Sequence, residues 1–312
     1  MSKERNPIRI LTFLFLVVIS LSLSACQTST QTEQNQDELQ VIVSILPQAY
    51  FVERIGGGQV SVQVMVGPGE EAHTYEPSPE QMKDLSTANL FFTIGIEYEE
   101  TWVPRFIDIN PDLTFIYSAE GIIRIPVADA HDHDEDHEEI SADSDHSHEE
   151  GLDPHVWLSP QNGKIIARNV LAALIEVSPQ NKQTFEENYD ALIADIDQLD
   201  ESIRSSLAVI NSRTFMVFHP AWGYFADQYD LEQVSVQVGG QDPSPSEMAA
   251  LVDIARDEAI RVIFVQPSFN SEDAQSIAKE ISAEIASVDP LSRNWLMNLE
   301  NVAAALAAAL EQ

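Results

Sequence analysis

Residues 185–207 read FEENYDALIADIDQLDESIRSSL, with Phe185, Tyr189, Leu192, Ile196, Leu199, Ile203 and Leu207 spaced by 4, 3, 4, 3, 4 and 4. This spacing lays one apolar stripe along about six helical turns, roughly 33 Å at 1.5 Å per residue. A coiled-coil seam has a similar period, but here it lasts only about three heptads and globular sequence flanks it. A rigid spine joining two lobes fits better. Ser178 and Pro179 supply a cap and a first-turn residue, so the linking helix is expected over 179–211.

On both sides of this stripe, short β-branched runs alternate with helical patterns. Before it, strands are expected at Val41–Leu46, Val60–Val66, Leu90–Ile94 and Leu113–Tyr117, with helices at Gln48–Ile55, Pro79–Thr87 and Lys164–Val177. After it, strands are expected at Thr214–Phe218, Gln233–Val238, Arg261–Val265 and Glu284–Val288. The helices there are Ala221–Gln228, Pro245–Asp257, Ser271–Ile281 and Trp295–Leu310. Alternation of this kind implies an α/β fold of two lobes, each a mostly parallel sheet with flanking helices and its own core. The lobes span 39–178 and 212–312.

The N-terminus reads as an address. Lys3, Arg5 and Arg9 precede the apolar run Ile10–Leu23 and then Ser24-Ala25-Cys26, as in a secretory signal over 1–25. Leu23-Ser24-Ala25-Cys26 resembles the bacterial lipoprotein box, which implies a lipidated Cys26, with residues 26–38 as a flexible polar tether. The chain is therefore expected outside the cytoplasm, periplasmic or cell-surface, and anchored to a membrane by lipid. Cys26 is the only cysteine, which excludes thiolate zinc sites and cysteine catalysis. The net charge is −35 and becomes −37 without the leader, which carries three basic residues and one acid. Such a surface repels nucleic acid and attracts cations.

Asp129–Glu150 departs from the rest. It holds His131, His133, His137, His146 and His148 among eleven acids, with no Lys or Arg. So few apolar residues cannot fold alone, so a solvated loop is expected, its histidines serving as weak, multiple metal-capture sites.

The other three histidines have similar settings. His73 lies just past the strand Val60–Val66, His219 ends Thr214–Phe218, and His155 precedes a helix in Asp153-Pro154-His155-Val156-Trp157-Leu158-Ser159-Pro160. Ligands of open α/β sheets collect beyond the carboxyl ends of strands. Asp289 ends a strand in the same way. Imidazole suits zinc or copper, and three His with one Asp would complete four-coordinate zinc without a thiolate. A fully protein-ligated ion has no position for a reactive water, which favours holding metal over hydrolysis. Imidazole ligands must be deprotonated, so affinity should fall below about pH 6.5. By residue type alone, loop-capping histidines and a turn aspartate explain these positions equally well.

The segments Ala72-His73-Thr74-Tyr75-Glu76-Pro77, Asp153 to Pro160 and Phe218-His219-Pro220-Ala221-Trp222-Gly223-Tyr224-Phe225 resemble those of the zinc and manganese ABC-transporter substrate-binding proteins. The His-rich insertion is similar to that of the ZnuA-like zinc members. The resemblance runs from about Leu39 to the C-terminus. It implies two lobes joined by a long helix, with the metal in the cleft between them. It also implies that His73, His155 and His219 are the histidine ligands of Zn²⁺ and that Asp289 is at the carboxylate position, where some zinc members use a water. Manganese members usually place a carboxylate where this chain has His219, which favours zinc. Some zinc members carry a disulfide in the C-terminal lobe, which a chain with one cysteine cannot form. The implied role is a monomeric, non-enzymatic carrier that delivers zinc to an ABC permease, moving little on metal loss. The competing readings are a manganese or iron carrier, an adhesin, or a zinc hydrolase with Glu70 or Glu76 as base. The hydrolase would need an open metal position and a base within reach.

Overall fold

The structure is a computed structural model and describes residues 38–127, 151–237, 241–267 and 272–311. Cys26, the leader and the His-rich segment, including His131, His133, His137, His146 and His148, lie outside the described residues.

Four strands, β1 (Leu39–Ile45), β2 (Val60–Val66), β3 (Leu90–Thr93) and β4 (Thr114–Tyr117), form a parallel sheet in the order β2-β1-β3-β4. A second parallel sheet repeats that order with β5 (Thr214–Val217), β6 (Glu232–Ser235), β7 (Val262–Val265) and β8 (Glu284–Ser287), arranged β6-β5-β7-β8. In each sheet the first strand is central, and the order reverses beside it. Such a switch point opens a crevice at the carboxyl ends of the strands. β1 is buried along Val41–Ile45, as a central strand covered by helices on both faces must be.

The helices before the spine are α1 (Leu46–Gly56), α2 (Pro79–Leu85), α3 (Glu97–Ile109) and α4 (Pro160–Val177). The spine is α5 (Lys182–Leu207), 26 residues, entered through a 3₁₀ turn at Pro179–Asn181. Then come α6 (Gly223–Tyr229), α7 (Pro245–Asp257), α8 (Glu272–Ile281) and α9 (Trp295–Leu310). Three helices start on Ser-Pro: Ser78, Ser159 and Ser244 each accept a backbone N–H from the first turn while the following Pro needs no partner. None of the described helices is long and apolar enough to cross a membrane.

Two expectations need correction. α3 has no counterpart in the sequence reading, because Pro104 sits inside it and a proline within a helical pattern reads as a breaker. The cores are also not one per lobe. β5 alternates its faces: Phe215 and Val217 join a core that runs through β1, α1, α4, the spine residues Phe185 to Leu207 and α9. Met216 and Phe218 belong to a smaller core under α7 and α8. The larger core thus passes continuously from one sheet to the other along α5. Trp295 of α9 reinforces this junction by packing on Phe51 of α1, ring centroids 4.8 Å apart, and by donating its indole N–H to the carbonyl of Trp157 at 2.6 Å.

Candidate metal centre

Each histidine is placed by backbone already described. His73 lies in the loop between β2 and α2, His155 in the turn before Ser159 caps α4, and His219 two residues past β5. Their rings meet edge to face, with centroids 5.6 Å (His73–His155), 5.4 Å (His73–His219) and 5.1 Å (His155–His219) apart. One ligand atom from each lies within 4.8 Å of the others. The cavity they line with Glu71, Trp157 and Gln266 has about 20 Å³ of free space, room for one water-sized occupant and for no organic ligand.

The far side of each ring is held by an oxygen. His73 Nδ1 is 2.6 Å from Glu97 Oε2, His155 Nδ1 is 2.7 Å from Asp153 Oδ1, and His219 Nδ1 is 3.0 Å from Gln237 Oε1. An acceptor at Nδ1 requires the proton there, which fixes the tautomer and presents the Nε2 lone pair. Asp153 is completely buried and also takes the backbone N–H of His155 at 2.8 Å. Its other oxygen has no hydrogen-bond partner. These supports stand at strand ends too: Glu97 four residues after β3 and Gln237 two after β6.

The electrostatics differ from ring to ring. Burial pulls His73 down, but the hydrogen bond and charge of Glu97 outweigh it and leave its pKa above the usual 6.5. Burial, followed by the charge of His155, pushes His219 down to about 3, so its imidazole is neutral throughout the physiological range. Neutral imidazole is the form that binds metal.

Asp289 is not part of this group. Its Oδ1 accepts the N–H of Leu291 at 2.9 Å, and its side chain lines an adjoining cavity of about 440 Å³ with Glu70, Leu46 and Arg293. Burial raises its pKa. The backbone around it is fixed from both sides: Trp157 Nε1–H donates to the Pro290 carbonyl at 2.8 Å, and Asn298 Nδ2 to the Asp289 carbonyl at 2.7 Å. Glu70, one of the two candidate bases, lines both cavities, and its Oε2 accepts the Gly67 N–H at 2.6 Å.

Glu97, Asp153 and Gln237 are site residues that the sequence reading did not identify. Asp153 was within reach, since it stands two residues before His155 in a motif already singled out. Gln237 was hidden because the expected strand ran through it to Val238, whereas β6 ends at Ser235, and Glu97 because the helix it opens was not expected.

The profile of the family described as ZnuA, zinc-uptake complex component A, periplasmic, matches residues 41–309. The high-affinity zinc uptake system protein ZnuA of Bacillus subtilis is 29% identical over 252 residues, covering 80% of this chain and 77% of that protein. The zinc-binding lipoprotein AdcA of Streptococcus pneumoniae is 28% identical over 258 residues, 81% of this chain but only 50% of the relative. A crystal structure of ZnuA superposes with a TM-score of 0.79 at 34% identity, covering 88% of this chain and 99% of the other.

Proposed function

From the premise that this chain belongs to the ZnuA family of extracytoplasmic, non-enzymatic ABC-transporter substrate-binding proteins, we propose that it binds one Zn²⁺ through Nε2 of His73, His155 and His219 and delivers it to a membrane permease. The observation that carries this reading is the convergence of three imidazoles whose other nitrogens each face an oxygen acceptor. Three nitrogen ligands suit zinc better than manganese, which prefers oxygen. The fourth position falls to a water or to Asp289. To serve there Asp289 would have to give up the bond from Leu291.

The wider setting follows the sequence. Cys26 is proposed as the lipid anchor, and His131, His133, His137, His146 and His148 as a weaker capture segment feeding the cleft. The strongly acidic chain concentrates cations around the site. Metal analysis of protein purified without added metal tests the assignment. We expect one tightly held zinc per chain. Unchanged zinc content in a His73→Ala/His155→Ala/His219→Ala variant lacking residues 131–148 would overturn it.

A further inference from the structure

Residues 122–127 and 151–153 flank the His-rich segment and pair with each other. Val127 N–H donates to the Gly151 carbonyl at 2.9 Å, Asp153 N–H to the Ile125 carbonyl at 2.8 Å, and Pro126 bridges Leu152 in antiparallel fashion. This short strap contains one imidazole support, Asp153, and grips the turn that leads into another, Glu97. On one side, Arg124 Nη2 donates to the carbonyls of Ile94 (3.2 Å) and Gly95 (3.3 Å) and to Tyr117 Oη (2.8 Å). On the other, Tyr224 of α6 accepts the Ile125 N–H at 3.2 Å and donates its hydroxyl to the Asp153 carbonyl at 3.0 Å.

We infer that Arg124 and Tyr224 are positioning residues of the metal centre, Arg124 acting on His73 through Glu97 and Tyr224 on His155 through Asp153. The inference rests on the zinc-site reading above. Glu97 opens α3, so the turn Ile94–Ile96 decides where its carboxylate points. That turn is gripped on both edges. The buried Glu99 carboxylate takes the N–H groups of Ile94 (3.0 Å) and Gly95 (2.7 Å), while Arg124 takes their carbonyls. Gly95 has φ +89°, and a β-carbon there would run into the guanidinium, so the glycine both makes the turn and admits the arginine. Tyr224 follows His219 by five residues and belongs to the second lobe, so one hydroxyl ties the helix after His219 to the strand before His155. Burial lifts that phenol to about 12, which keeps it protonated and able to donate.

A tether that merely stabilises the fold would leave zinc affinity untouched or reduce it equally in any background. A double-mutant cycle separates the two roles. Zinc affinity of the tightest site is measured by chelator competition on the mature chain for Arg124→Met, Glu97→Gln and the pair, and for Tyr224→Phe, Asp153→Asn and that pair. We expect Arg124→Met and Tyr224→Phe each to weaken zinc about tenfold alone, the lower end for outer-shell partners. Added to Glu97→Gln or Asp153→Asn respectively, each should cost less than about twofold more, the remaining effect already being lost. Wild-type affinity in Arg124→Met and Tyr224→Phe, or equal losses in both backgrounds, would overturn the inference while leaving the zinc site standing. Tyr224→Phe removes one oxygen only, so it tests the inference even where Arg124→Met does not fold. A triple-histidine variant that binds as the wild type does would overturn the metal centre and this inference with it.

Discussion

His155 and His219 face each other Nε2 to Nε2 at 3.3 Å, one from each side of the junction between the two sheets. With both Nδ1 protons committed to Asp153 and Gln237, two lone pairs point at one another. Such an approach is repulsive unless a cation sits against both. The pair is therefore set up for a metal ion or a proton, and His73 closes the third side.

If His219 is an inner ligand as proposed, replacing it by Ala should cost zinc affinity more than the roughly 10–100-fold typical of outer-shell partners. Replacing it by Glu should move preference towards manganese, since oxygen ligands suit that ion. Competition between Zn²⁺ and Mn²⁺ monitored by calorimetry reads both effects. An unchanged preference in His219→Glu would remove this residue from the selectivity argument.

Asp153→Asn should weaken zinc by about 10–100-fold although the side chain keeps its shape. The amide oxygen can still accept both N–H groups of His155 but lacks the negative charge that makes the imidazole a stronger ligand. Imidazole ¹⁵N shifts report the tautomer directly. Retention of the Nδ1–H form together with wild-type affinity would contradict the proposed support.

Zinc retention should be lost as pH falls, with His73 protonating well before His219. Glu97 holds its pKa above 6.5, whereas His219 at about 3 remains neutral. A proton on His73 excludes the metal, so binding is complete above that raised pKa and declines on acidification through it. Glu97→Gln removes the charge that raises His73, so the decline should shift to lower pH. Affinity measured between pH 8 and 5 in both proteins checks the direction of the shift.

Removing zinc with a chelator should leave the overall dimensions nearly unchanged, because the main core runs through both sheets and α5 and has no apolar seam to open. Small-angle scattering of the two forms provides the comparison. A marked increase in radius of gyration on chelation would show a hinge that the continuous core does not allow for.

Gly163→Ala tests the same junction. A methyl group there would lie 2.6 Å from Trp295 Cη2 and 2.7 Å from Cζ2. Alanine gains up to about 1 kcal/mol of helix propensity over glycine, but overpacking costs about 1–3 kcal/mol. Net destabilisation is expected, read as a lower denaturant midpoint with an unchanged slope.

Local pattern carried the sequence reading far. Strand ends placed His73 and His219, and the stripe from Phe185 to Leu207 placed the spine, because period and turn chemistry act over a few residues. What escaped depends on contacts remote in sequence. Glu97 supports His73 from 24 residues away and Gln237 supports His219 from 18, distances at which spacing says nothing. Asp289 shows the reverse case. As the end of a strand before Pro290 it reads equally as a ligand or a turn residue, and in the structure its Oδ1 caps the N–H of Leu291. The shared core was hidden because the alternation of Phe215 and Val217 against Met216 and Phe218 shows that two faces exist, not what each face meets.

The continuity of that core also bears on how the protein makes itself understood. A carrier with jointed halves can announce its cargo by changing outline, and a receptor can tell full from empty by fit. Here one core runs from half to half along α5, so loaded and empty forms are expected to present nearly the same contour. The distinction must then be legible at short range, in the rim around one ion, where a single filled coordination sphere alters the charge and stiffness of a few loops.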